Sequence, residues 1–376
     1  MGIRLIKSFV RGDYEEMRFE KRNQQLKEAN LTAMKTMLLY TPLMTLALNI
    51  TTVVVVWSGG NMIVAGNMQV GDLTAFTNYI VQIMSSLTML SIAFLNWARA
   101  IASFRRVGEV LDEKIDLTDE NAKHKDRAVC EGSVEFQNVS FRYYKNSPEW
   151  VIENISFKLE AGKTLGIIGS TGSGKSTLVS MIPRLYDTDE GTVLVDGINV
   201  RDYGLKPLRE GIGMVLQNNT LFSGSITENL KWGDEHADEK AVRKAAQNAQ
   251  AAGFIDSFKD GYRTRLEQSG NNVSGGQKQR LCIARALLKC PKILILDDST
   301  SAVDTATERA IREALHSEYK DMTKIIIAQR IRSVMDADEI LVLDNGKTAG
   351  FGTHEQLLAD CPVYREIYDV QNGREE

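Results

Sequence analysis

At 376 residues, 43% hydrophobic and 25% charged, the chain has room for two or three domains with packed cores. A formal net charge of −4 leaves no basic field of the kind that nucleic acid requires. Four cysteines (Cys130, Cys282, Cys290, Cys361) lack C-x-x-C spacing, which argues against a disulfide framework or zinc site and for a reducing compartment.

Residues 1–35 read as one basic, amphipathic helix. Leu5, Phe9, Met17, Phe19 and Leu26 interleave with Arg4, Lys7, Arg11, Arg18, Lys21, Arg22 and Lys27. A solvated surface helix fits the same pattern. Charge in the first turns and no cleavage-site pattern argue against a signal peptide. Residues 36–71 and 73–98 carry no charge, and each run is long enough to cross about 30 Å of hydrocarbon. A buried pair of core helices is the alternative, but soluble helices of this length normally carry a charged face. Two transmembrane helices are expected, over about 36–64 and 73–98. Basic residues crowd both outer flanks and are missing from the 59–72 connection, so both ends are expected in the cytoplasm. Pro42, Asn49, Thr51 and Thr52 on the first span, with Asn78, Gln82, Ser85 and Ser86 on the second, suit either a translocation path or helix–helix contacts. The polar stretch 112–131 reads as a linker. That divides the chain into a membrane part (1–111), the linker and a soluble domain (132–376).

In the soluble domain, residues 134–136 and 139–143 alternate apolar and polar, which predicts an antiparallel hairpin. Tyr143 is placed to stack on a base, with Tyr144 its competitor. The apolar run Leu165-Gly166-Ile167-Ile168 then leads into Gly169-Ser170-Thr171-Gly172-Ser173-Gly174-Lys175-Ser176-Thr177. A helical pattern follows, with Leu178, Met181, Ile182 and Leu185 on one face. Strand, glycine-rich loop and helix are the context of a phosphate-binding P-loop. Its glycines let backbone N–H groups turn towards phosphate oxygens, Lys175 reaches the β- and γ-phosphates, and Ser176 offers a hydroxyl to Mg²⁺. Nucleotide binding is expected.

Gly213-Met214-Val215-Leu216-Gln217 is a strand ending on an amide. Val273-Ser274-Gly275-Gly276-Gln277 opens a helix over 278–288, either as an anion site or as a flexible cap. Lys292-Ile293-Leu294-Ile295-Leu296-Asp297-Asp298 is a buried strand ending in two carboxylates, the first suited to Mg²⁺ and the second to polarising a water. Ser301-Ala302-Val303-Asp304 reads as a turn, and Lys324-Ile325-Ile326-Ile327-Ala328-Gln329 as one more parallel strand.

In this order these motifs resemble the ATP-binding cassette (ABC) family over about residues 2–368. The Ser274–Gln277 tetrad is the most specific part. With the membrane hairpin, the chain resembles the C-terminal part of a type IV exporter half-transporter, similar to bacterial multidrug exporters. The resemblance implies two transmembrane helices followed by an α/β P-loop NTPase domain with an antiparallel β subdomain and a helical signature subdomain. It also implies that residues 1–9 hold a short coupling helix, with four further spans upstream. ATP and Mg²⁺ would be the cofactors, with Gln217 reaching Mg²⁺ and Asp304 in the ATP site. Partners would be the lipid bilayer, a second half-transporter whose ATP is completed by Ser274, Gly275, Gly276 and Gln277, and a small amphipathic, lipid or peptide substrate.

Three departures from the family stand out. Asp298 replaces the usual Glu, so its carboxylate falls roughly 1–1.5 Å short of the water, a misplacement that can cost about a hundredfold in rate. Gln329 replaces the usual His; its NH₂ can still hydrogen-bond a γ-phosphate, but it cannot carry a proton charge. Val273 replaces Leu, and Gln268 stands where an acidic residue is usual. The first two form the pattern of the degenerate half of a heterodimer. The competing expectations are an active homodimer, a regulatory ATP-binding fragment, and a soluble ABC ATPase acting on nucleic acid or ribosomes.

Overall fold

The computed structural model describes residues 2–298 and 303–373. Two compact units divide the chain, Met1–Lys114 and Ile115–Glu376.

The first unit is a helical hairpin. Helix α1 (Ile3–Ser8) stops at Phe9, and Val10, at φ 51°, turns the chain into α2 (Gly12–Val64). Residues 1–35 are therefore not one helix, because a β-branched residue at positive φ cannot continue one. Beyond Gly12 the basic and charge-free stretches share a single 53-residue helix, with Pro42 inside it. Helix α3 (Val70–Leu111) begins earlier than the charge pattern suggested. Gln69 and Asp72 form a capping box, with Gln69 N donating to Asp72 Oδ2 at 3.1 Å. Asp72 is thus a helix cap rather than a loop charge, and the connection shrinks to 65–69. Among the described residues one stretch, Pro42–Val64, is long and apolar enough to cross a membrane, with mean hydropathy 1.6 and 6% of its length buried. Leu46, Val53, Trp57 and, on α3, Phe76 and Leu90 are exposed. Where the helices meet, Leu73 covers Gly59, and a Cβ there would lie 2.5 Å from Leu73 Cδ1.

The second unit opens with β1 (Val134–Phe141) and β2 (Ile152–Leu159). The two short runs expected to pair with each other are one bulged strand. Asn138, at φ 49°, shifts the register between Phe136 and Val139, and the strand pairs antiparallel with β2 on one side and, on the other, with residues 190–195. Strand β3 (Thr164–Gly169) leads into α4 (Lys175–Ser180), which is shorter than its apolar pattern implied. Pro183 disfavours helical geometry at Ile182, so Leu178, Met181 and Ile182 are buried while Leu185 stays 38% exposed. Next come β4 (Glu190–Val195), β5 (Ile198–Asn199), α5 (Leu205–Glu210) and β6 (Ile212–Val215). A helical insertion follows: β7 (Gly224–Ser225), α6 (Ile226–Leu230), α7 (Glu239–Asn248), α8 (Ala252–Ser257), β8 (Arg265–Leu266) and α9 (Gly275–Leu288). The chain returns through β9 (Ile293–Asp297), α10 (Thr305–Glu318) and β10 (Thr323–Ile327). It ends with β11 (Glu339–Asp344), β12 (Lys347–Gly352), α11 (His354–Asp360) and α12 (Pro362–Gln371).

Strands β2-β1-β4-β5 form an antiparallel sheet, and β12-β11-β3-β10-β9-β6 a larger one, parallel except at β12. Three apolar cores hold these layers. One joins the two sheets through Phe136, Ile155, Leu165 and Leu178. The second lies under the helical insertion, and the third packs α11 and α12 on the far edge through Ile331, Val342, Leu357 and Tyr364. From Asp119 onward the 112–131 stretch is tied to this unit. Asp119 accepts Leu205 N at 3.0 Å, His124 N donates to Asp202 O at 2.7 Å, and Val129 is buried. Asp196, in the turn after β4, accepts four successive amides: Cys130 (2.7 Å), Glu131 (3.1 Å), Gly132 (2.7 Å) and Ser133 (3.0 Å).

Candidate nucleotide site

The spatial order of the large sheet builds the site. Strands β3, β10, β9 and β6 lie side by side and parallel, and their carboxyl ends deliver in turn the P-loop, Gln329, the Asp297–Asp298 pair and Gln217. Ligands of open α/β sheets sit at this edge.

The loop backbone is shaped by its glycines. Gly172 (φ 85°) and Gly174 (φ 90°) adopt left-handed geometry that turns successive N–H groups to one side, which makes an anion nest. At Gly169 an added Cβ would drive into the carbonyl of Leu343 on β11, and at Gly174 it would lie 2.6 Å from Ile152 Cγ2. Lys175 Nζ lies inside the loop, donating to Gly169 O (2.8 Å), Ser170 O (2.7 Å) and, at 3.4 Å, Ser173 Oγ. Burial pulls its pKa down, against the opposing charges of Asp297 and Asp298.

Asp297 is 3% exposed, and burial pushes its carboxyl up, against a hydrogen bond from the Ser176 hydroxyl. The Asp298 charge adds to the upward shift and Lys175 opposes it. Asp298 leaves the strand at φ 45°. Its Oδ2 accepts Gln329 Nε2 at 2.8 Å and Gln217 Nε2 at 3.4 Å. Burial raises this carboxyl too, with the two amides and the Lys175 and Arg330 charges working the other way. A buried carboxylate, a hydroxyl and an amide oxygen form a hard-oxygen donor set that suits Mg²⁺ held jointly with phosphates.

Of the two tyrosines, Tyr143 is joined to the P-loop helix: its hydroxyl lies 2.9 Å from Thr177 Oγ1, and its ring meets Phe141 and Tyr186 edge-on. Tyr144 is 80% exposed. The 274–277 segment is itself a capping box that starts α9 three residues before the predicted helix. Ser274 N donates to Gln277 Oε1 at 2.9 Å and Gln277 N to Ser274 Oγ at 3.3 Å. These bonds run within the tetrad and not to the P-loop. Asp304 caps α10, accepting Thr307 N at 3.0 Å, which holds its carboxyl below the usual range. Ser301 and Ala302 of the expected turn lie outside the described residues. His354 is far along the chain in the C-terminal layer, its Nδ1 2.7 Å from the Tyr364 hydroxyl.

One contributor escaped the sequence reading. The side chain of Gln371, the last residue of α12, accepts Ile331 N at 2.8 Å and donates to Gln329 O at 2.8 Å. A glutamine at a helix end, about forty residues from the loop it binds, gives no local signal.

A model described as the ABC transporter domain matches residues 152–301, and one described as the ABC transporter transmembrane region matches residues 1–87. Among curated proteins the chain is similar to an uncharacterized ABC transporter ATP-binding protein, YfiB, of Bacillus subtilis strain 168. The two are 42% identical over 375 residues, covering 100% of this chain and 64% of that protein. It is also similar to the putative multidrug export ATP-binding/permease protein YgaD of the same organism, at 39% identity over 99% of this chain and 64% of that protein. The chain thus spans under two thirds of the length of these relatives. Among solved structures, a bacterial Atm1-family ABC exporter with ATP bound superposes with a TM-score of 0.89 at 31% identity, over 98% of this chain and 65% of that one.

Proposed function

Because the chain belongs to the ABC transporter family, carrying both its transmembrane region and its ATP-binding domain, we propose that it couples ATP binding and hydrolysis to export of a substrate across a membrane. The observation that carries this is the alignment of the P-loop, Gln329, Asp297–Asp298 and Gln217 on four adjacent strand ends. The nest and Lys175 would hold the phosphates, Asp297, Ser176 and Gln217 would hold Mg²⁺, and Tyr143 would stack on the base. Mg²⁺ supplies neutralisation of the phosphate charge. The hairpin lies in the bilayer with the ATP-binding domain in the cytoplasm. Its unburied apolar face and the absence of a basic field favour this over a soluble ATPase acting on nucleic acid. One relative, YgaD, is named as a putative multidrug exporter, which supports a small amphipathic, lipid or peptide cargo.

The same geometry supports a slow site. A catalytic carboxylate takes the proton of the attacking water through its free lone pairs. In this chain Asp298 is short and its Oδ2 is engaged by two amides, one of them Gln329, which cannot relay a proton. The domain therefore holds ATP firmly and cleaves it slowly. Its Ser274–Gln277 tetrad, bonded within itself, completes a faster site on a partner half-transporter that carries Glu and His. The test is ATPase activity of the purified chain with and without its partner. Asp298→Glu combined with Gln329→His raises turnover at this site, and replacing the partner's Glu removes most activity. Turnover of about 10 s⁻¹, typical of enzymes, from this chain alone would refute the slow-site reading.

A further inference from the structure

The backbone that carries Gln329 is held from outside the site. Residue 329 lies two positions past the end of β10, where the sheet ladder no longer fixes it. Ala328 and Ile331, on either side of it, are buried in the C-terminal core with Leu357 of α11, Tyr364 of α12 and Cys361 between the two helices. Gln371 then spans the segment between them. The same side-chain amide donates through Nε2 to Gln329 O and accepts through Oε1 from Ile331 N, both at 2.8 Å. Two bonds to groups on either side of Arg330 fix the rotation as well as the position of the segment. Only one orientation of the amide satisfies both a carbonyl and an N–H. The Gln329 side chain then reaches Asp298 Oδ2 at 2.8 Å. The path from α12 to the catalytic carboxylate is a chain of three hydrogen bonds through one loop.

We propose that Gln371 is a positioning residue for the nucleotide site, setting the backbone from which Gln329 distinguishes ATP from ADP. The inference rests on the reading of Gln329 as a γ-phosphate contact. Its mode of action is indirect, since Gln371 touches neither the P-loop nor the aspartates among the described residues. A glutamine that merely capped α12 would affect stability and leave nucleotide preference alone.

The test measures Mg-nucleotide affinity of the full chain in nanodiscs, for ATP and ADP separately, in Gln329→Ala, Gln371→Ala, the double variant and Gln371→Glu. Gln371→Ala lowers the preference for ATP over ADP by about three- to tenfold, the loss of two modest hydrogen bonds, and leaves ADP affinity unchanged. The double variant is no worse than Gln329→Ala alone, because one residue acts through the other. Gln371→Glu keeps the acceptor for Ile331 N but points a carboxylate at Gln329 O, so it follows Gln371→Ala. A preference that responds to Gln329→Ala but not to either Gln371 variant overturns the proposal and leaves the γ-phosphate reading standing. Additive losses in the double variant also overturn it. A preference insensitive to Gln329→Ala overturns the γ-phosphate reading and the proposal together. Unchanged ADP affinity in each variant serves as the check on folding.

Discussion

Replacing Asp196 by alanine tests how the linker is fastened to the ATP-binding domain. The carboxylate closes a nest of four consecutive N–H groups, at 2.7–3.1 Å, in which Gly132 stands at φ 89°. Charge-assisted hydrogen bonds contribute about 1.5–3 kcal/mol each when nothing replaces them. Here the amides of Cys130 and Glu131 are exposed and return to water at little cost, whereas those of Gly132 and Ser133 are partly buried. The net loss is about 2–4 kcal/mol. For a domain of this size that lowers Tm by about 5–15 °C. Asp196→Asn retains one acceptor oxygen but points an NH₂ at amides, and it loses at least half as much. Thermal unfolding followed by circular dichroism reads both variants. A shift under about 2 °C in Asp196→Ala, or an Asn variant indistinguishable from wild type, would show that the nest is not a fastening.

Three further outcomes are expected. Lys175→Ala removes the ammonium from the centre of the P-loop and lowers ATP affinity by at least about tenfold, while the far-ultraviolet spectrum stays unchanged; titration with a fluorescent ATP analogue measures it. Gly174→Ala forces an L-residue to φ 90° with its Cβ 2.6 Å from Ile152 Cγ2. It costs about 2–4 kcal/mol in loop geometry, and wild-type nucleotide affinity in that variant would contradict the strain argument. Burial pushes the Tyr364 hydroxyl up to about 12. Between the ordinary value of about 10 and that value, the unfolded chain binds fewer protons than the folded one, so stability falls as pH rises through this window. Tyr364→Phe flattens that decline in urea midpoints taken from neutral to alkaline pH, and at neutral pH it costs about 1 kcal/mol for the partner of His354.

The residues gathered at the site were legible in the sequence because each ends a run of apolar residues: Gly169 at the end of β3, Gln217 after β6, Asp297 on β9, Gln329 after β10. Their spatial order was not. Fully buried strands lack the alternation that reveals a neighbour, so nothing in Thr323–Ile327 announces that it inserts between β3 and β9. Local punctuation misled in three places. Val10 breaks a helix that the charge pattern ran through, Asn138 bulges a strand that was read as two, and Asp72 caps α3 instead of marking a loop. The fastenings of Asp196 and Gln371 act across the fold through single polar side chains, a scale at which periodicity carries no information.

The placement of β3 also governs when the P-loop can exist during synthesis. Its two neighbours in the sheet, β10 and β11, are encoded about 150 residues after it. At the usual pace of translation that is an interval of roughly 10–30 s. Throughout it the glycine-rich loop has no flanking strand to hold Gly169 against Leu343. A ribosome stalled between residues 177 and 323 therefore carries the whole phosphate-binding motif as sequence, yet without the strands that flank its pocket.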